Sequence, residues 1–161
     1  MPRISLPDGS VREYDEPVSA AQVAADIGPG LARAAIGARI DGELADLNAV
    51  IRDDAELALV TVGNNHKDVP SDDAMYLIRH SAAHVMADAV KRLFPQAKIT
   101  IGPAIETGFY YDFDVAEPFT DADLEHIEAE MAKIIKANLP FERQEVSRSA
   151  AMELFREMGE D

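Results

Sequence analysis

The chain has 161 residues, 47% of them hydrophobic, and 15 basic against 30 acidic side chains give it a formal charge of −15. That length accommodates one medium domain or two small ones with an ordinary core, and the charge argues against a module that grips nucleic acid by its own electrostatics, since phosphate neutralisation needs clustered Lys and Arg. With no cysteine, disulfides and thiolate metal sites are excluded, and no run approaches the roughly 20 apolar residues of a membrane span.

The acidity is even along the chain, five basic against eleven acidic residues through Val62 and ten against nineteen after it, which is the mark of solvated faces. Residues 1–10 are polar and turn-rich, without the apolar core of a signal peptide, so a cytoplasmic location is expected.

Arg3-Ile-Ser-Leu, a turn at Pro7-Asp8-Gly9 and Ser10-Val-Arg-Glu-Tyr predict a hairpin in which Gly9 supplies a positive φ. Ser19 is placed to cap a short helix, Ala20–Ile27, with Val23, Ala24 and Ile27 on its inner side and Gly28-Pro29-Gly30 as its stop. A strand running into a turn at Asp41-Gly42 and a last, buried strand over 56–62 follow; Asp53-Asp54 reads as a turn. A hairpin, one helix and two or three further strands predict a helix laid across a small mixed sheet.

Residues 63–73 are polar, hold Gly63 and Pro70, lack apolar periodicity and read as a linker, with His66 a solubilising residue inside it. The chain thus divides into 1–62, a 63–73 linker and 74–161.

The second part opens with a long helix over 74–94, capped by Asp72 or Asp73 and ended by Pro95, with Ile78, Ala82, Val85, Ala89 and Leu93 as its aliphatic stripe. Lys98-Ile-Thr-Ile and Phe109-Tyr-Tyr-Asp-Phe-Asp read as strands, the second alternating Phe109, Tyr111 and Phe113 with Tyr110, Asp112 and Asp114. Thr120 caps a helix, Asp121–Ala137, whose buried stripe is Leu124, Ile127, Met131, Ile134 and Ile135; Asn138 and Pro140 end it. A strand over 141–146 and a last helix capped by Ser147 and finished at Gly159 complete the reading.

One place concentrates chemistry. His80 and His84 stand four residues apart on the long helix, about 40° apart around its axis, so both imidazoles can address one water, ester or metal ion. They lie away from the aliphatic stripe beside Ala83, Ala87 and Lys91, small neighbours that suggest a cleft floor. An imidazole with a pKa near 6.5 serves as base or acid at neutral pH. The same spacing is half of a zinc site, but Ser81 stands where the H-E-x-x-H motif has glutamate, and no third ligand is identifiable. Two incidental imidazoles are the remaining reading. Tyr110, Tyr111 and Asp112 could line a pocket or form a half-buried edge, Gly28-Pro29-Gly30 lacks the lysine of a phosphate loop, and His126 reads as solvated.

Met1-Pro-Arg-Ile-Ser-Leu-Pro-Asp-Gly-Ser, Asp26-Ile-Gly-Pro-Gly-Leu-Ala, Asp41-Gly-Glu-Leu, Ile78-Arg-His-Ser-Ala-Ala-His-Val-Met and Ile101-Gly-Pro-Ala-Ile-Glu-Thr-Gly-Phe-Tyr-Tyr-Asp, in this order, resemble the N-terminal region of the bacterial threonyl-tRNA synthetase family. The resemblance implies an α+β chain: a TGS domain of ubiquitin-like β-grasp fold over 1–62, and the first part of a tRNA-editing domain over 74–161. It implies hydrolysis of seryl-tRNA made in error on threonine tRNA, with His80 and His84 on the family's H-x-x-x-H motif and Tyr111 matching a tyrosine of the editing pocket.

The family's Cys-x-x-x-His stretch with its nearby lysine would follow Asp161, as would the class II catalytic domain, with ATP, magnesium and zinc, and the anticodon-binding domain. The resemblance therefore makes these 161 residues an N-terminal fragment, inactive alone, without cofactor or metal of its own. The whole ligase would be a cytoplasmic homodimer that grips threonine tRNA mainly through the parts beyond this chain. The competing expectation is a non-catalytic TGS-type module binding RNA or protein, in which the histidines are incidental.

Overall fold

The computed structural model describes residues 1–63, 70–140 and 144–160, in two compact units, Met1–Arg79 and His80–Asp161. His66 and the first half of the strand expected over 141–146 lie outside the described residues; residues 144–146 belong to no strand. Among the described residues no helix is long and apolar enough to cross a membrane.

In the first unit β1 (Arg3–Ser5) pairs antiparallel with β2 (Val11–Glu13), and Gly9 takes the expected positive φ of 83° in the turn. A minor ribbon joins β3 (Val18–Ser19) to β6 (Val50–Ile51). Helix α1 (Ala20–Ile27) follows at once: the Ser19 hydroxyl accepts from the Gln22 amide and the Gln22 side chain accepts from the Ser19 amide, a closed capping box.

Gly28 ends α1, but Gly28-Pro29-Gly30 is more than the expected stop. Pro29 opens a second short helix, α2 (Pro29–Ala34), because proline at the first helical position forfeits no needed hydrogen bond. Strand β4 (Ala35–Ile40) then turns through Asp41 and Gly42, both with positive φ, into β5 (Glu43–Ala45). The strand β7 (Ala55–Thr61) lies in the middle of the order β2-β1-β7-β4-β5, parallel to β1 and antiparallel to β4. Asp54, read as a turn residue, also accepts the Arg3 amide at 2.9 Å.

Ile4, Val18, Ala20, Val23, Ala38, Ile51 and Leu57 form one fully enclosed core in this unit. A helix lies across a small mixed sheet, and the unit has the expected β-grasp form.

Helix α3 (Asp72–Leu93) contains no Gly or Pro, starts with two aspartates and ends with Lys91 and Arg92, charges that complement its dipole. Its cap is Ser71, whose hydroxyl accepts from the Ala74 amide at 3.2 Å, and neither Asp72 nor Asp73. The boundary between the units falls at Arg79, inside this helix.

The predicted stripe of α3 needs rotation. Ile78 and Leu93 are exposed, while Ala83, Ala87, Ala89 and Val90 are buried. The alanines Ala83 and Ala87 beside the histidines are therefore core residues, small where the helix is enclosed, and they do not form the floor of a cleft.

The predicted continuous strand over 109–114 is also broken. Its start, β10 (Gly108–Phe109), pairs with β9 (Ala104–Ile105), and its end, β11 (Phe113–Asp114), pairs with β8 (Lys98–Ile99). The alternation survives nonetheless: Phe109, Tyr111 and Phe113 are half-buried, and Tyr110, Asp112 and Asp114 are exposed.

Helix α4 (Asp121–Ala137) has its capping box at Thr120 and Asp123 and ends on Asn138 in the left-handed conformation. Ile127 and Ile134 are buried with Met131 partly so, but Leu124 and Ile135 face outward, so the stripe is narrower than predicted. Helix α5 (Arg148–Glu157), capped by Ser147, has no buried residue.

Candidate active site: the paired histidines

The helical spacing of His80 and His84 does bring them together. Their Nε2 atoms are 3.1 Å apart, with ring centroids at 4.6 Å and planes at 88°. At that distance one Nε2 carries a proton and donates it, and the other accepts on its lone pair. A second proton would set two N–H groups against each other. His84 is accordingly held below its ordinary pKa, first by partial burial and then by the charge that His80 would bring. The pair therefore presents a proton donor and a neutral acceptor together near pH 7, which is the equipment of general acid–base catalysis.

His84 also lines a groove of about 290 Å³, in which Val85 and Asp88 of α3 face Ile134, Asn138 and Leu139 at the end of α4. Most of its lining is apolar. Asp88 continues the histidine face by another four residues and was not singled out in the sequence, although the same i, i+4 step from His84 reaches it. Its carboxylate is taken up by a two-pronged pair with Arg92, Nε to Oδ1 at 2.9 Å and Nη2 to Oδ2 at 2.8 Å, and Arg92 reaches on to Glu130 at 3.5 Å.

Tyr111 lines a different groove, with Asp112, Phe113 and Phe119. Its ring stacks on Phe113 at 4.9 Å and lies where any side chain at residue 102 would be, so Gly102 is required by the close approach. Burial pushes its hydroxyl pKa up, and the phenol is un-ionised at neutral pH.

As a metal site the pair is incomplete. Two imidazole nitrogens at this separation suit one zinc ion, with Zn–N of about 2.0–2.1 Å, yet among the described residues no group of three His, Cys, Asp or Glu gathers. His126 is exposed on α4.

Comparison with known proteins adds two findings. Residues 2–61 match the TGS domain family. Over 99% of its length the chain is 53% identical to threonine–tRNA ligase from Granulibacter bethesdensis and 54% identical to that from Burkholderia lata; over 98% it is 54% identical to that from Pelobacter propionicus. The chain spans 24% of the length of each of these relatives, and it is homologous to their N-terminal part.

Proposed function

We propose that this chain, a TGS domain followed by a histidine-bearing unit, is the N-terminal part of a threonine–tRNA ligase and contributes half of the site that hydrolyses seryl-tRNA formed in error on threonine tRNA. The observation that carries this reading is the His80–His84 pair, with Nε2 atoms 3.1 Å apart in a chain alike to such ligases over 99% of its length.

The chemical need is specific. Serine lacks one methyl group of threonine, and one methylene's worth of contact separates two substrates by only about 1–3 kcal/mol, so a synthetic site alone admits the smaller amino acid too often. A second, hydrolytic site that excludes the larger acyl group restores accuracy.

In the hydrolytic step a water attacks the aminoacyl ester carbonyl. One imidazole of the pair accepts a proton from that water as it adds to the carbonyl, and the resulting imidazolium returns the proton to the ribose oxygen as the ester C–O bond breaks; the short Nε2···Nε2 contact keeps both rings beside the same ester. The lowered pKa of His84 keeps its imidazole neutral at neutral pH, the form that can take up a proton. Tyr111 belongs to this proposal as a substrate-binding residue, offering an un-ionised hydroxyl from its own groove.

ATP, magnesium and zinc belong to the ligase's catalytic domain in this reading, as the cytoplasmic location, the homodimer and most of the grip on tRNA belong to the whole ligase. No cluster among the described residues offers a resident metal a third ligand.

The test uses the full-length ligase. His80→Ala together with His84→Ala should lower deacylation of seryl-tRNA by on the order of 10²-fold or more while leaving threonylation intact. Unchanged hydrolysis in that variant overturns the assignment.

A further inference from the structure

The helix that carries the histidine pair begins on the sheet of the first unit. Arg39, on β4, holds Asp73 in the first turn of α3 by a fork of two hydrogen bonds, Nε to Oδ2 and Nη2 to Oδ1, each 2.6 Å. Its remaining arm, Nη1, donates to the carbonyl of Gly42 in the β4–β5 turn. The guanidinium thus joins the hairpin turn to the helix start, and its hydrogen bond holds the Asp73 carboxyl below the usual carboxylate range.

One turn further along α3, Leu77 seats against Gly37. A Cβ at residue 37 would stand 2.5 Å from the Leu77 Cδ1, so the leucine methyl fills the space that Gly37 leaves open. The pairing of β4 with β7 shifts register between Ala35 and Gly37, at the same point. Leu77 is followed within one turn by His80.

We propose that Arg39 and Leu77 keep the His80 turn of α3 wound, which makes Arg39 a positioning residue for the histidine pair. The physical case rests on how helices end. The first four amides of a helix have no partner within it and its termini fray, and of the cap and the two anchors only the anchors reach outside the helix. His80 and His84 meet because the backbone between them is helical, so any opening that spreads from the N-terminus to His80 separates the two Nε2 atoms. A lysine replaces the arginine only in part here, because it offers a point charge where both carboxylate oxygens are engaged in one plane.

The consequence for catalysis rests on the editing reading, whereas the anchoring does not, and two measurements separate them. In the 161-residue chain, amide hydrogen exchange is followed residue by residue for the wild type, Arg39→Met, Arg39→Lys and Leu77→Ala. Protection of amides 76–81 should fall several-fold in Arg39→Met and Leu77→Ala, and less in Arg39→Lys. Amides of the last turns of α3 and of β1 and β7 should stay as in the wild type, which also shows that the variants fold. In the same samples the NMR-monitored titration of His84 should move up toward its ordinary value, a change that mere loss of stability elsewhere would not produce.

Unchanged protection of 76–81 in both variants overturns the proposal, as does a uniform fall along the whole helix. In the full-length ligase, Arg39→Met should lower kcat for seryl-tRNA deacylation with little change in KM. If the exchange result holds while the double histidine variant still deacylates, the anchor stands and the editing assignment falls.

Discussion

The two units bury their apolar residues to different degrees. In the first, Ile4, Val23 and Leu57 are enclosed by a five-stranded sheet and a capped helix. In the second, α4 and α5 leave Leu124, Ile135, Leu154, Phe155 and Met158 facing outward, and the ladders are two residues long. The candidate chemistry sits in the second. A closed unit can be stable by itself, while a surface so rich in uncovered aliphatic side chains gains little from burial, and this asymmetry makes definite demands on mutants.

The largest effect is expected in the first unit. Leu57, 1% exposed on the central strand, should cost about 2–5 kcal/mol when replaced by alanine, since the surrounding sheet cannot collapse onto the cavity. Urea unfolding of the isolated chain, followed by amide signals of each unit, measures it. A loss under about 1 kcal/mol would mean the core is looser than its enclosure implies.

Next comes a pair of neighbours in α4. Ile134 is 8% exposed and Ile135 is 64% exposed, so Ile134→Ala should destabilise the second unit by roughly 2 kcal/mol and Ile135→Ala by less than about 0.5 kcal/mol. Equal effects would erase the distinction between the buried and open faces of α4. Smaller again is the helix cap: Thr120→Ala removes a hydroxyl that accepts from the Asp123 amide at 3.3 Å and should cost about 1 kcal/mol.

How much of this was legible in the sequence follows the same division. Elements whose ends are set by local chemistry were readable: Ser19 with Gln22, Thr120 with Asp123, and the Asp41-Gly42 turn each write their boundary in adjacent residues. The histidine pair was readable for the same reason, since i and i+4 meet on any helix. Which face of a helix is covered depends on neighbours distant in sequence, and there the reading slipped. Ala83 and Ala87 looked like a cleft floor and are core, whereas Ile78, Leu124 and Ile135 looked like core and are exposed. The break in the 109–114 strand was invisible because its alternation is intact; only the change of pairing partner reveals it. Arg39 gave no signal at all, its role depending on an aspartate 34 residues away.

The smallest expected effect is a pH dependence confined to the second unit, and its sign is fixed by the histidine pair. His84 has a folded pKa below its ordinary value of 6.5, so between those two values the unfolded chain binds the proton that the folded chain refuses. Stability must then fall as pH drops below about 6.5 and level off once the folded pKa has been passed. Because the imidazole is largely open to solvent, the change should be smaller than that of the Thr120 cap. His84→Gln keeps a polar side chain but cannot titrate, and should abolish this slope in the second unit's unfolding while leaving the first unit's pH dependence untouched. Should the slope persist in His84→Gln, the titrating group lies elsewhere and protonation of the partly buried His84 beside His80 is not what the folded state opposes.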